Sequence, residues 1–135
     1  MIDVAGTKVG IIGIDIVRKT IMSSSRDDTT RFLDEAETSQ KMVNELKEAG
    51  VNRILIMAHY GYENELELAA KIDGVDVIIG DDSHTLLGDF EEIGLNSAGP
   101  YPTVVEGVGG KSVCVATAWQ YSQIVGHSCF LMTSI

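Results

Sequence analysis

Basic residues are scarce in this chain. Ten Lys and Arg stand against 20 Asp and Glu in 135 residues, for a formal net charge of −10. A polyanion is held by lysines and arginines that displace its counterions, so neither nucleic acid nor an anionic membrane surface is an expected partner. An acidic chain still accepts a phosphorylated metabolite where a metal ion supplies local positive charge. Long apolar runs are missing as well, and none nears the ~20 residues that cross a bilayer. Met1-Ile2-Asp3-Val4 has neither the basic n-region nor the following apolar run of a secretory leader, so none is expected. Only two prolines and two cysteines occur. Cys114 and Cys129 lack CxxC spacing, and Cys114 lies in the apolar "SVCVATAW", which suits a buried thiol. Their redox compartment stays open. What remains, 44% hydrophobic and 22% charged residues, is globular composition sized for one domain with a moderate core.

"KVGIIGIDIV", Lys8 to Val17, is rich in Ile and Val and short enough for a strand. "MSSSRDDTTR", Met22 to Arg31, is polar and predicts a loop. Asp34 and Glu37 then stand in capping-box spacing at a helix start. Ala36, Val43 and Leu46 fall on one face of that helix with Met42 and Ala49 beside them, and Gly50 suits its left-handed end. "NRILIMAHYG" predicts a second strand ending at His59. "ENELELAAKI" predicts a helix over Glu63 to Ile72, and "VDVIIG" a third strand. This β-α-β-α-β order implies an α/β fold, a partly parallel sheet with helices packed on it. "GDFEEIGLNSAGPYP" predicts a loop. Beyond Thr103 the pattern predicts a β-hairpin turning near Gly109-Gly110, then a strand from about Gln123.

The chemistry gathers where apolar strands stop. His59 follows one strand, and "DDSH", Asp81 to His84, follows another. In open α/β sheets ligands bind outside the carboxyl ends of strands, so these tips can share a crevice. Imidazole nitrogen and carboxylate oxygen together suit Zn²⁺ or Mn²⁺. In an extended segment Asp82 and His84, two apart, face one side and one metal cluster. The plainer reading stands beside it: Asp-Asp-Ser is turn chemistry, and a histidine after a strand is often a surface residue. Asp15, inside the first strand, reads as a buried carboxylate in a structural hydrogen bond. His127 has no companions, and "GVGG" at Gly107 to Gly110 reads as a turn, because no helix follows to bind phosphate.

"HYGYENELELAAKIDGVDVIIGDDSHTLLGDF", "GPYPTVV" and "SVCVATAWQYSQIVG" together resemble the bacterial 5′-nucleotidase family of binuclear calcineurin-like metallophosphoesterases. The upstream "KVGIIGIDIVRKT" and "FLDEAETSQKMVNELKEAGVNRILIMAHYGYEN" fit the same family, up to Gly126. Asp-Ser-His at Asp82 to His84, where many relatives carry His-Ser-His, looks most like the NAD nucleotidase branch. The resemblance implies part of an α-β-β-α sandwich, with residues 1–135 a single incomplete domain. The Asp-x-His and Gly-Asn-His motifs that the family places upstream of the matching segment, and its C-terminal nucleotide-binding domain, are not expected in this chain. It implies His59, Asp82 and His84 as ligands to two divalent ions, Zn²⁺ or Mn²⁺, and hydrolysis of a 5′-nucleotide, or of the NAD pyrophosphate bond, by metal-activated water. No residue of this chain is assigned a catalytic role beyond metal binding. Relatives are typically periplasmic or extracellular; the location of this chain is not predicted. The alternative is an inactive fragment that keeps the fold and a weak metal site, and self-associates through an exposed sheet edge or apolar surface. A flavodoxin-like regulatory domain also fits the β-α-β order but leaves Asp82 and His84 without a role.

Overall fold

A computed structural model of the chain describes residues 1–128. Six strands make one sheet in the order β1-β2-β3-β4-β6-β5. The strands are β1 (Ile2–Val4), β2 (Thr7–Asp15), β3 (Ile54–His59), β4 (Val77–Gly80), β5 (Thr103–Glu106) and β6 (Ser112–Thr117). The four central strands, β2, β3, β4 and β6, run parallel, and short antiparallel strands close each edge. The α/β, mostly parallel architecture agrees with the sequence expectation, and so does the hairpin of β5 and β6. Residues 123–128 form no strand. Most of the tail "HSCFLMTSI", Cys129 included, lies outside the described residues.

Register explains the core. Ile12, Ile56, Ile78 and Val115 align in one row across the parallel strands, and all four are buried. Two helices cover that face, α2 (Glu35–Glu48) and α3 (Tyr62–Lys71). Asp34 caps α2 by accepting the Glu37 N–H at 2.8 Å. At the other end, Gly50 takes φ +78°, and the N–H groups of Val51 and Gly50 donate to the carbonyls of Leu46 and Lys47. That pairing is a Schellman motif, and it satisfies carbonyls the helix would otherwise leave open. Ala36, Val43 and Leu46 face the core as expected, whereas Met42 and Ala49 are exposed.

Among the described residues no helix packs on the opposite face. Its rows carry Ile11, Leu55, Val77 and Cys114, then Gly13, Met57, Ile79 and Ala116; Met57 is 54% exposed, whereas Val77 and Ala116 are buried. Cys114 is half-buried here, and burial together with the Asp76 charge raises its thiol pKa.

Two expectations need correcting. The first long strand stops at Asp15, not Val17, and residues Val17–Ser23 form a helix, α1, in place of strand and loop. Asp15 pairs with His59, the last residue of β3, so the ladder has no further partner. The Ile16 N–H takes the His59 carbonyl at 3.1 Å and the chain turns. Asp15 is therefore exposed at a strand tip and not buried, although it does make the expected local bond, from Ile16 N–H at 2.8 Å.

One carboxyl does lie in the core. Glu65 of α3 is 0% exposed and sits against Gly80, where a Cβ would collide with it. Burial pushes its pKa up from 4.5 to about 7, and the charges of Asp81 and Asp82 add to the rise. The N–H groups of Asp81 and Gly61 favour the anion, yet neither oxygen has a well-aligned donor among the described residues, so burial wins. The folded protein keeps this proton where the unfolded chain has released it, so stability falls as pH rises from 4.5 towards 7. Urea unfolding of wild type and Glu65→Gln across that range isolates the effect. The wild type should lose on the order of 3 kcal/mol relative to the variant, then level off.

Candidate metal centre

Parallel strands deliver their carboxyl ends to one edge, and there the sequence candidates meet. Asp15 ends β2, His59 ends β3, and Asp81 to His84 follow β4. Side chains of Asp15 and His59 project on the helix-free face, two residues beyond Gly13 and Met57 in each strand. The tips of β3 and β4 are joined. Gly61, at φ +87°, donates its N–H to the Asp81 carbonyl at 3.1 Å. Ser83 Oγ accepts the Tyr62 N–H at 3.0 Å, capping α3 from across the crevice where Gly61 has no side chain to do it.

This junction brings His59 and Asp82 together, with Nε2 and Oδ1 3.3 Å apart. Asp82 is the inner partner, its side chain 13% exposed against 57% for His59. Lys19 of α1 reaches the same Asp82 oxygen with its ammonium group. A nitrogen and an oxygen donor at this spacing fit a divalent ion as two neighbouring ligands. His84 goes elsewhere. Its ring packs edge-on to Tyr121, with centroids 5.1 Å apart. Among the described residues no three His, Cys, Asp or Glu are arranged to hold a metal.

The reason is in the backbone. The expected extended run is a turn, with Asp82 at φ +79° and His84 at φ +52°. Non-glycine residues rarely adopt the left-handed region, and such strain clusters at functional sites. Trp119, Tyr121 and Ser122 share it, and Trp119 and Tyr121 line, with Asp81 and His84, a cleft of about 640 Å³ beside the strand tips. A hollow of about 720 Å³ at the opposite end of the sheet holds none of the candidate residues. His127 is exposed, and the Gly107 to Gly110 stretch is the hairpin turn anticipated.

Sequence reasoning missed Lys19 and Glu65. Lys19 lies 63 positions from Asp82 and carries no local signal. Glu65 had one: it falls three residues after Tyr62 and three before Leu68, on the helix face both of them bury.

No protein-family model matches the chain. It is 38% identical over 129 residues to a probable 5′-nucleotidase of Treponema pallidum, an overlap of 94% of this chain and 22% of that protein. It is 41% identical over 125 residues to the NAD 5′-nucleotidase of Haemophilus influenzae, covering 91% of this chain and 21% of the relative. The solved structure of the Haemophilus influenzae NAD nucleotidase superposes with a TM-score of 0.83 at 40% identity, over 90% of this chain and 22% of that one. A 5′-nucleotidase precursor from Thermus thermophilus gives 0.82 at 47% identity, over 88% and 23%. The chain thus spans about a fifth of the length of the curated relatives it matches. Sequence and backbone together match it to part of a 5′-nucleotidase domain.

Proposed function

We propose that this chain is the metal-binding part of a nucleotide phosphohydrolase, with His59 and Asp82 as its core donors and His84 as a third. The 3.3 Å approach of His59 Nε2 to Asp82 Oδ1 at the carboxyl edge carries the reading. His59 and Asp82 would hold a divalent ion, Mn²⁺ or Zn²⁺, whose positive charge would polarise a phosphoryl group and acidify the attacking water. The chain's own residues hold the donors in place. Ser83 pins the turn to α3, and the Gly61 to Asp81 hydrogen bond sets the distance between the two tips. The substrate class is a 5′-nucleotide, extending to the pyrophosphate of NAD, after the names borne by the relatives.

A second reading has its own support. His84 is engaged with Tyr121, which favours an inactive scaffold with a weak metal site. Self-association belongs to that reading. The sheet edges expected to mediate it are short, three residues in β1 and four in β5, so the open face bearing Ile11, Met57, Ile79 and Val104 is the better surface.

Three measurements separate the readings. Calorimetric titration with Mn²⁺ should give saturable binding that His59→Ala weakens by about tenfold or more, in the range that loss of one ligand brings; binding indifferent to that change contradicts the assignment. Release of phosphate from 5′-AMP, or of AMP and nicotinamide mononucleotide from NAD, with Mn²⁺ above the buffer rate supports the enzyme, and the absence of both supports the scaffold. Light scattering at micromolar concentration should report a dimer or larger, and a monomeric mass ends the self-association proposal.

A further inference from the structure

One oxygen of Asp82 serves two partners, His59 Nε2 and the Lys19 ammonium. We propose that Lys19 is a tethered cation with two stations, the Asp82 carboxylate in the metal-free chain and the phosphate of the substrate when a divalent ion holds that carboxylate, a role that rests on the metal reading above.

Competition follows from charge. An oxygen that already faces an ammonium is not offered to a divalent ion at full strength. The ion must either displace Lys19 or accept its repulsion at close range. Lys19 is built to be displaced. It rides on α1, seven residues with none buried, tied to the body by the Val17 N–H donating to Glu35 at 2.9 Å. Few buried contacts mean a low local cost of movement. Its side chain is 55% exposed, and a compact ammonium on a flexible four-carbon stem swings between partners more readily than a guanidinium fork.

The second station answers a need of the site. A phosphate approaching this edge meets Asp15, Asp81 and Asp82 on a chain of net charge −10. A lysine freed from Asp82 stands at the rim with its charge unspent, and a phosphate dianion is its natural partner. A purely structural ion pair predicts something different. Exposed pairs contribute little to folding, so Lys19→Met would then free Asp82 for the ion but leave phosphate affinity unchanged.

Calorimetry with Mn²⁺ alone, then with inorganic phosphate on the Mn²⁺-loaded chain, tests this on wild type, Lys19→Met and Asp82→Asn. Lys19→Gln serves as a second neutral variant should the methionine promote association. Loss of the lysine should tighten Mn²⁺ binding about two- to fivefold and weaken phosphate binding by a similar factor, the scale of one partly exposed charge pair. Opposite signs on the two ligands are the signature, since a folding defect would weaken both. Equal Mn²⁺ affinities in wild type and Lys19→Met, with Asp82→Asn weaker than either, overturn the inference and leave the metal reading standing. Phosphate affinity that the lysine variants leave unchanged or raise overturns it too. If none of the chains binds Mn²⁺, the metal reading falls and the inference falls with it.

Discussion

The hydrogen bond from Gly61 N–H to the Asp81 carbonyl couples the ends of two parallel strands, and the site depends on that coupling. Strands β3 and β4 are in register from Leu55 with Val77 to Ala58 with Gly80, after which the ladder stops and each chain is free to turn. Without a link between the turns, His59 and Asp82 would sit on separate loops with no fixed distance. Gly61 makes the link possible because its φ of +87° is open to glycine at little cost. Ser83 adds a second tie through the first amide of α3, and Glu65 fills the space under Gly80 that any larger residue would need. The crevice is thus set from below by a helix, a glycine and a buried acid, and the donors above it inherit their spacing.

Electrostatics then decides what such a crevice attracts. The chain repels anions overall, and its strand tips carry three aspartates. Asp82 is the most enclosed member of the His59, Asp82 and Lys19 trio, so its charge is the least screened and the one most in need of a counter-charge. Within the chain the Lys19 ammonium meets that need, with His59 Nε2 3.3 Å from the same oxygen. A divalent ion would meet it more strongly and could bring a phosphate with it, which is how an acidic protein comes to handle an anionic ligand.

Much of this was legible in the residues. Runs of Ile and Val punctuated by polar caps and glycines mark β2, β3, β4 and both long helices, because burial on one face enforces those patterns. Helix α1 was not legible, since it buries nothing and "VRKTIMS" shows no apolar period. The hairpin of β1 with β2 hides behind Ala5-Gly6, a turn with both φ values positive that an alanine does not advertise. The helix-free face is equally hard to read. "ILIM" in β3 is apolar on both sides, as a strand buried twice would be, yet Met57 is exposed. Resemblance of motif pointed to His59, Asp82 and His84, and two of the three lie together. Which way His84 faces depends on a left-handed backbone at His84 and on Tyr121, 37 positions away, and spacing alone encodes neither.

The most direct test of the account maps where a paramagnetic ion settles. Substoichiometric Mn²⁺ added to the isotope-labelled chain should broaden the amide signals of residues 59–61 and 81–84 first, with those of Lys19 and its neighbours close behind. Broadening that begins instead at the acidic surface stretches, Asp27 with Asp28 or Glu91 with Glu92, and leaves the strand tips sharp would contradict the claim that β3 and β4 end in a cation site.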